Sequence, residues 1–300
     1  MLQARSLVLD GGLATHLEAG GADLSGPLWS ARVLQSAPAT VRAAHEDFFA
    51  AGADIATTCT YQLSGMSLRA AGSDPADLPV LTTRAVDLAV LARDAINPDG
   101  LIAGSVGPYG ACRADGSEYT GDYGLGTGAA RVLRDFHVPR LEALLTAEVD
   151  VLAGETVPRL DEALVILDVV ASLGAAIPVW LSFSVSAGGL RTAAGDPLRM
   201  VAQELAGAEG LVAVGVNCCD PADVLPAWDE LRCGATDLPL IAYPNSGERW
   251  DAAANGWAGD PGWPADLLAG WWDRRPAVLG GCCRTGPRRV AELAAARNER

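Results

Sequence analysis

The feature that most constrains the fold is a regular alternation of short apolar runs, rich in β-branched residues, with longer segments of helical periodicity. The runs predicted as strands are Leu7 to Asp10, Asp54 to Thr58, Leu101 to Val106, Asp150 to Glu155, Pro178 to Ser184, Leu211 to Asn217, Leu238 to Tyr243 and Ala277 to Gly280. The segments predicted as helices include Pro38 to Gly52, Leu78 to Ile96, Ala129 to Ala147, Leu160 to Leu173, Pro197 to Ala208 and Pro221 to Leu231. Eight strand-helix repeats in 300 residues predict an α/β fold, a closed (β/α)8 TIM barrel that residues 1–300 form as a single domain. A doubly wound open sheet is the alternative, but no Gly-x-Gly-x-x-Gly motif follows the first predicted strand.

The predicted strands end in residues that can bind ligands or react. In chain order, these ends are Asp10-Gly11-Gly12, Thr58-Cys59-Thr60-Tyr61, Gly107-Pro108-Tyr109-Gly110, Gly154-Glu155-Thr156, Ser182-Phe183-Ser184, Asn217-Cys218-Cys219, Pro244-Asn245-Ser246-Gly247-Glu248 and Cys282-Cys283. The carboxyl ends of barrel strands meet at one face, and function collects there. The sequence therefore predicts one site to which distant strands contribute.

The cysteines indicate a metal site. Cys282 and Cys283 follow two glycines, Gly280 and Gly281, which we expect to relax the backbone so that adjacent cysteines reach one ion. Cys218 directly follows another predicted strand and supplies a third thiol. Three thiolates with one open position are typical of a catalytic zinc site.

The other cysteines have weaker claims. Cys219 could replace Cys218 as a ligand if the backbone turned differently, whereas Cys59, Cys112 and Cys233 have the isolated placement of small buried or incidental residues. Seven cysteines are an odd number, scattered along a long chain, which argues against a disulfide framework.

Composition excludes several classes of function. The formal net charge of -15 disfavours a nucleic-acid partner, because phosphates would be repelled. The N-terminal residues lack the apolar stretch of a secretory signal, and the most apolar later region is interrupted by Asp168 and Pro178, so no membrane association is expected. A cytoplasmic protein acting on small molecules follows as the expectation.

Six motifs together resemble the zinc-dependent homocysteine S-methyltransferase family. They are Asp10-Gly11-Gly12-Leu13-Ala14-Thr15-His16-Leu17-Glu18, Leu28-Trp29-Ser30-Ala31, Gly104-Ser105-Val106-Gly107-Pro108-Tyr109-Gly110, Ala114-Asp115-Gly116-Ser117-Glu118-Tyr119, Tyr243-Pro244-Asn245-Ser246-Gly247-Glu248 and Gly280-Gly281-Cys282-Cys283-Arg284-Thr285. The resemblance implies a (β/α)8 barrel with Zn²⁺ on Cys218, Cys282 and Cys283. It is strongest to the stand-alone branch, which takes a methyl group from S-methylmethionine or, less readily, from S-adenosylmethionine and produces methionine from homocysteine.

Two acidic residues are candidates for the amino group of homocysteine. Glu155 ends the fourth predicted strand and Asp10 ends the first, and the resemblance implies that both bind the amino acid. Either residue could instead be structural, since Asp before Gly-Gly favours a turn and Glu before Thr-x-Pro can cap a helix.

Further candidates for substrate binding come from the strand ends and from the motifs. Gly11 and Tyr61 follow the first and second strands, and Tyr61 could alternatively occupy the fourth position on zinc. Trp29 and Tyr109 stand in family motifs and are expected near the mouth of the barrel. Asn217 precedes a proposed ligand and would orient a ligand or substrate, or form a turn.

The implied chemistry is nucleophilic attack by a thiolate. A free thiol with a pKa of about 8.5 is only slightly ionised at neutral pH, whereas a zinc-bound thiol loses its proton. Three thiolate ligands give the centre a formal charge of minus one, so a fourth sulfur keeps electron density for attack on a sulfonium methyl group. The donor carries its own leaving group, so no acid is needed.

Two other functions remain open at this stage. One is a thiol methyltransferase of the same barrel family that uses betaine or another donor. The other is a non-catalytic zinc or redox module, which would close its site with four protein ligands by recruiting Cys219 or Cys59. The Trp-rich stretch from Trp250 to Trp272 is either a lid over the donor or a helix packing against the barrel or against a second subunit of a homo-oligomer.

Overall fold

The strands form a single closed parallel sheet and one separate hairpin. The computed structural model describes residues 5–24, 30–235, 237–251, 256–259 and 261–299. Its strands are β1 (Leu7–Val8), β2 (Ile55–Thr57), β3 (Leu101–Val106), β4 (Val151–Val157), β5 (Val179–Phe183), β6 (Leu211–Asn217), β7 (Leu240–Tyr243), β8 (Arg249–Asp251), β9 (Gly256–Ala258) and β10 (Val278–Leu279). Eight of them form one sheet in the order β1-β10-β7-β6-β5-β4-β3-β2, while β8 and β9 pair as an antiparallel hairpin.

The sheet closes between β1 and β2. Leu9 forms a parallel bridge with Ile55, the Asp10 amide donates to the Ile55 carbonyl (2.9 Å), and the Asp54 amide donates to the Val8 carbonyl (2.7 Å). These bonds join the two ends of the sheet, so the predicted (β/α)8 barrel is confirmed. The first strand is shorter than predicted, and its last two predicted residues pair with β2 to close the barrel.

Helices follow each barrel strand. They are α1 (Leu13–Ala19), α2 (Ser30–Ser36), α3 (Pro38–Ala50), α4 (Gly65–Ala70), α5 (Leu78–Ile96), α6 (Ala129–Thr146), α7 (Leu160–Ser172), α8 (Leu198–Leu205), α9 (Val224–Gly234), α10 (Ala265–Asp273) and α11 (Pro287–Asn298). The six predicted helices correspond to α3 and to α5 through α9. Among these described residues, no helix has the length and apolar character needed to cross a bilayer.

Alternation along the strands separates two apolar cores. The larger core lies between the sheet and the helices, and a smaller cluster that includes Trp180, Ile241 and Ala153 fills the barrel. Trp180 is fully buried there, and loss of a buried aromatic side chain of this size typically costs about 3–5 kcal/mol. Glu155 lies two residues beyond Ala153 on the same strand. The alternation thus points its carboxylate into the barrel, above the apolar cluster.

The Trp-rich segment contributes packing. Trp271 and Trp272 of α10 are buried in the larger core, and Trp263 meets the Trp271 ring edge-on with 5.1 Å between centroids. The Trp263 indole also donates to the Asn245 carbonyl (2.8 Å). The packing interpretation therefore holds for these three residues, whereas the side chains of Trp250 and Trp257 lie outside the described part of the structure.

Candidate active site

A cavity opens at the carboxyl ends of the strands, with about 680 Å³ of empty space when the open solvent at its mouth is included. Residues that follow β1, β2, β6 and β10 line it, together with side chains from β3, β4 and β7. None of the described residues lining this cavity is an arginine or a lysine. The cavity therefore lies at the predicted face of the barrel. Its ionisable lining groups are carboxyl groups, thiols and tyrosine phenols.

Three sulfur atoms converge at the wall of this cavity. The Sγ atoms of Cys218, Cys282 and Cys283 all lie within 4.8 Å of one another, and those of Cys218 and Cys283 are 3.7 Å apart. Two thiolates bound tetrahedrally to one zinc ion at about 2.3 Å would be about 3.8 Å apart. Within the described residues, Cys219 and Cys59 do not join this group. The donor set and its spacing therefore fit one thiophilic metal ion with an open position.

The local backbone explains how two adjacent cysteines face the same point. Cys282 to Thr285 form a turn in which the Thr285 amide donates to the Cys282 carbonyl (3.1 Å), so the strand-like alternation of side chains is broken. Cys218 directly follows β6 with a φ of +50°. A left-handed residue at that point ends the strand and redirects the chain at the sulfur.

Gly280 and Gly281 are needed where the cysteine turn packs closely against its neighbours. Neither has a positive φ, so they do not relax the backbone into a left-handed conformation. A Cβ atom at Gly280 would lie 2.5 Å from the Leu9 Cβ, and one at Gly281 would lie 2.0 Å from the Thr285 Cγ2. Close approach of the cysteine turn to β1 and to Thr285 requires these glycines.

Hydrogen bonds from the loop after β7 hold the cysteine turn. The Cys283 amide donates to the Asn245 Oδ1 (3.1 Å), and the Cys282 amide donates to the Pro244 carbonyl (2.8 Å). The Arg284 guanidinium donates to both carboxylate oxygens of Glu248, at 2.7 and 2.9 Å. Bidentate pairs of this kind are geometrically specific, so they fix the turn that carries two of the sulfurs.

The three thiols share one negative charge. Hydrogen bonds from Cys282 and Cys283 hold the pKa of Cys218 well below its usual value, whereas interaction with the Cys218 thiolate raises the pKa of Cys282 and of Cys283. One thiolate therefore forms readily, and the other two protons remain until a metal displaces them. Metal affinity at this site should rise with pH.

Two buried carboxylates face the same cavity. Asp10 accepts from the Thr57 amide (2.8 Å) and hydroxyl (3.1 Å), and Glu155 accepts from the Ser105 hydroxyl. Desolvation raises the pKa of Glu155 to about 7, and desolvation followed by repulsion from Glu155 raises the pKa of Asp10. The pKa of a carboxyl group is raised when its anion is buried without a cation to stabilise it. An ammonium group would therefore be attracted to this position.

Asn217 holds the segment that contains Glu155. Its Oδ1 accepts from the Thr156 amide (2.7 Å) and the Ser182 hydroxyl (2.8 Å), while its Nδ2 donates to the Thr156 hydroxyl (2.7 Å). Thr156 has a φ of +56°, and the register between β4 and β5 shifts between Gly154 and Val157. The predicted fourth strand was expected to end at Glu155, but β4 continues past this bulge. The side-chain amide of Asn217 thus positions Glu155 by binding the next residue, Thr156.

The structure places only some of the remaining candidate residues at the cavity. Gly11 and Tyr61 line the cavity, and burial raises the pKa of Tyr61 well above its usual value. Tyr109 is not among the described lining residues, because its ring packs against Tyr123 and Phe136, at 5.4 and 5.2 Å between centroids. Trp29 lies outside the described residues.

The tertiary structure adds site residues that sequence reasoning missed. The Tyr119 hydroxyl lies 3.2 Å from the Cys218 sulfur, and Ser105, Asn245 and Tyr243 support the cysteines or Glu155. All four residues lie in motifs that carried the family resemblance. That membership was the available signal, but nothing in the spacing of the motifs placed them beside the sulfurs.

Substitution of Gly11 by alanine should displace the cysteine turn. A Cβ atom there would lie 2.0 Å from the Thr285 carbonyl oxygen and 2.8 Å from the Phe48 ring, so the cysteine turn must move. We expect Gly11→Ala to lower the free energy of unfolding by about 1–3 kcal/mol and to weaken metal binding. Thermal unfolding and zinc titration would measure both.

Gly128→Ala is a suitable control for this glycine replacement. Its φ is -92°, which any residue can adopt, and no heavy atom lies within 4 Å of the position that an added Cβ would take. We expect this variant to bind zinc like the wild-type protein. Unchanged zinc affinity in Gly11→Ala would contradict the expectation for the site.

The fold and the site together define a (β/α)8-barrel protein with a three-cysteine centre at the carboxyl ends of its strands. Residues 7–297 match the family described as Homocysteine S-methyltransferase. The chain is 42% identical over 301 residues to homocysteine S-methyltransferase of Escherichia coli (strain K12), covering 96% of this chain and 94% of that protein. It is 38% identical over 301 residues to homocysteine S-methyltransferase YbgG of Bacillus subtilis (strain 168), covering 96% and 93%.

Solved structures agree with the sequence comparisons. The crystal structure of the homocysteine methyltransferase MmuM from Escherichia coli in its metallated form is similar with a TM-score of 0.86 and 39% identity, covering 98% of this chain and 97% of that chain. The chain belongs to the homocysteine S-methyltransferase family.

Proposed function

We propose that this protein transfers a methyl group from a sulfonium donor to the thiol of homocysteine, producing methionine, with Zn²⁺ held by Cys218, Cys282 and Cys283. One observation carries the proposal: three converging sulfurs and two buried carboxylates line the same cavity. Family membership supports the acceptor, since relatives that the chain matches over nearly its full length are named for homocysteine.

The cysteines fit a zinc ion by chemistry and by spacing. Soft thiolate ligands favour zinc among common divalent ions, and the 3.7 Å separation of the Cys218 and Cys283 sulfurs suits tetrahedral geometry. A zinc ion held there would supply the positive charge that ionises the acceptor thiol at neutral pH. Asn245 and the Cys282–Thr285 turn hold the ligands before any metal arrives.

Asp10 and Glu155 are proposed to bind the ammonium group of homocysteine. Both are buried, and the described cavity lining offers no arginine or lysine to neutralise them. An ammonium group replaces the lost hydration with charge-assisted hydrogen bonds. Thr57, Ser105 and Asn217 orient the two carboxylates, so the amino acid is anchored with its thiol directed at the sulfurs.

The transfer itself needs positioning more than proton chemistry. The acceptor thiol loses its proton to solvent, its sulfur attacks the methyl carbon in line, and the electron pair of the breaking bond stays on the donor sulfur. The donor thus leaves as a neutral thioether, and no residue has to protonate it. The contribution of the chain is to hold the two sulfurs on either side of the methyl group.

The non-catalytic alternative is less consistent with the site. A structural zinc site closes with four protein ligands. Cys219 is buried in the larger apolar core, with a pKa raised by burial, and does not join the cluster in the described part of the chain. Three ligands and an open cavity favour an enzyme.

The proposal is tested by a donor comparison. Zinc-loaded protein is mixed with homocysteine and with S-methylmethionine, S-adenosylmethionine or betaine, and methionine is quantified. We expect the highest rate with S-methylmethionine, a lower rate with S-adenosylmethionine and none with betaine, since the resemblance is strongest to the S-methylmethionine-using branch. Methionine from betaine alone would move the protein to the alternative donor class, and no methionine from any donor would refute the proposal.

A further inference from the structure

Glu118 is an acidic residue that the proposed acceptor site does not use. It lies in a short 3₁₀ helix, Ser117–Tyr119, in the loop after β3. The loop is fixed on the site: the Tyr119 hydroxyl contacts the Cys218 sulfur at 3.2 Å, and the Ser184 hydroxyl donates to the Glu118 carbonyl at 2.7 Å. Gly110 packs so closely that a Cβ there would lie 2.6 Å from the Glu118 nitrogen. The backbone of Glu118 is therefore held in place next to a tyrosine whose hydroxyl contacts Cys218.

The carboxylate of Glu118 carries an oxygen without a hydrogen-bond partner. This atom, Oε2, is buried and has no hydrogen bond to any residue that the structure describes. Burial raises the pKa of Glu118, and repulsion from Cys218 and Asp115 adds to it. The arginine in the same loop, Arg113, is paired with Asp115 at 2.9 Å. A buried anion in this state is unfavourable until a cation approaches it.

Glu118 immediately precedes Tyr119, which lines the cavity, although Glu118 is not itself one of the described lining residues. Its charge and that of Cys218 both act on the Tyr61 phenol, which lines the cavity and also feels Glu155. The proposed reaction brings the ammonium of the acceptor near this point, and S-methylmethionine carries both a sulfonium and an ammonium of its own. Asp10 and Glu155 account for the ammonium of the acceptor. A sulfonium has no N–H or O–H to donate, so it is attracted by charge and does not need a directed hydrogen bond.

We propose that Glu118 recognises the positive charge of the sulfonium donor and sets the preference for charged donors over neutral analogues. This inference rests on the proposed function. Because the donor sulfur becomes neutral as the methyl group leaves, the attraction is strongest before transfer. Glu118 therefore strengthens donor binding without accelerating the transfer step, and it does not retain the neutral product.

The test compares S-methylmethionine with its uncharged isostere, 2-amino-5-methylhexanoate, in which a CH group replaces the sulfonium. We expect Glu118→Gln to raise the KM for S-methylmethionine about tenfold, equivalent to about 1.4 kcal/mol, with kcat unchanged or higher, because the lost attraction is weaker in the transition state than in the bound donor. The KM for homocysteine and the inhibition constant of the isostere should change less than about twofold. Asp122→Asn is the matched control, because it removes an exposed carboxylate from the same loop and should leave all four quantities unchanged.

Calorimetric titration of S-methylmethionine into the zinc-loaded protein gives a readout that does not need turnover. Weaker donor binding in Glu118→Gln, with unaltered binding of the isostere, supports the inference even if the wild-type protein makes no methionine, an outcome that refutes only the proposed function. Equal weakening of donor and isostere would overturn it, because Glu118 would then act on the ammonium or on the general shape of the site. Unchanged donor affinity would overturn it as well.

Discussion

Replacing Cys282 with alanine is expected to lower zinc affinity by more than about a hundredfold, and methyl transfer with it. The substitution removes one of three sulfurs that lie within 4.8 Å of one another, and the remaining pair cannot hold a dication at an otherwise preserved site. Zinc content after dialysis, measured by mass spectrometry, and competition with a chromogenic chelator would quantify the loss. The affinity of the wild-type protein should also rise with pH, since zinc must displace the protons held on Cys282 and Cys283.

Cys219→Ala provides the matched control for this experiment. Cys219 is adjacent to Cys218 in sequence, but its side chain is buried in the apolar core, away from the cluster. We expect this variant to bind zinc like the wild-type protein, with at most a modest loss of stability. Full zinc occupancy in Cys282→Ala, or loss of zinc in Cys219→Ala, would mean that the ligand set is wrong.

Substitution of Glu155 by glutamine is expected to lower kcat/KM for homocysteine by about thirtyfold to a hundredfold, because a buried charge-assisted bond to the ammonium is lost. The pH profile should change as well. With a pKa of about 7, Glu155 is protonated below that pH and attracts the ammonium less, so kcat/KM of the wild-type protein should rise as the pH increases through 7. The variant should lack this limb. Initial rates at low homocysteine between about pH 6 and 8 would measure it.

The same substitution should stabilise the protein at alkaline pH. The folded-state pKa of Glu155 is raised from 4.5 to about 7, so the folded protein holds a proton more tightly than the unfolded chain, and its stability falls as pH rises through this window. Glu155→Gln removes that penalty, worth up to about 3 kcal/mol at pH 8. Glu142→Gln, which changes an exposed carboxylate on α6, should alter neither activity nor stability. A Glu155→Gln protein with wild-type kcat/KM would exclude this residue from acceptor binding.

Much of the barrel was readable from the sequence, because each strand-helix repeat is a local pattern of apolar residues. The eight predicted strands all appear, and the six predicted helices match their segments. The ends of elements were less predictable. The fourth strand passes through a bulge at Thr156. This bulge is held by two hydrogen bonds between Thr156 and Asn217 on another strand, one donated by each residue.

The sequence also predicted which cysteines come together, since three of them end or follow strands that must meet at one face. Their support could not be predicted. Asn245 and Tyr119 approach the cysteines through loops whose paths depend on contacts between residues distant in the chain. The position of Tyr109 could not be predicted either. Its motif placed the side chain near the mouth of the barrel, but the ring packs against Tyr123 and Phe136.

The sequence by itself determined the barrel and the identity of the sulfur atoms, because periodicity and strand ends are encoded within short segments. Only the tertiary structure showed that Asp10 and Glu155, candidates already from the sequence, are buried in a cavity whose described lining holds no arginine or lysine, and it added Glu118, a half-buried residue with one buried oxygen that lacks a hydrogen-bond partner. Desolvation depends on every element packed around a group, so no local stretch of sequence reports it.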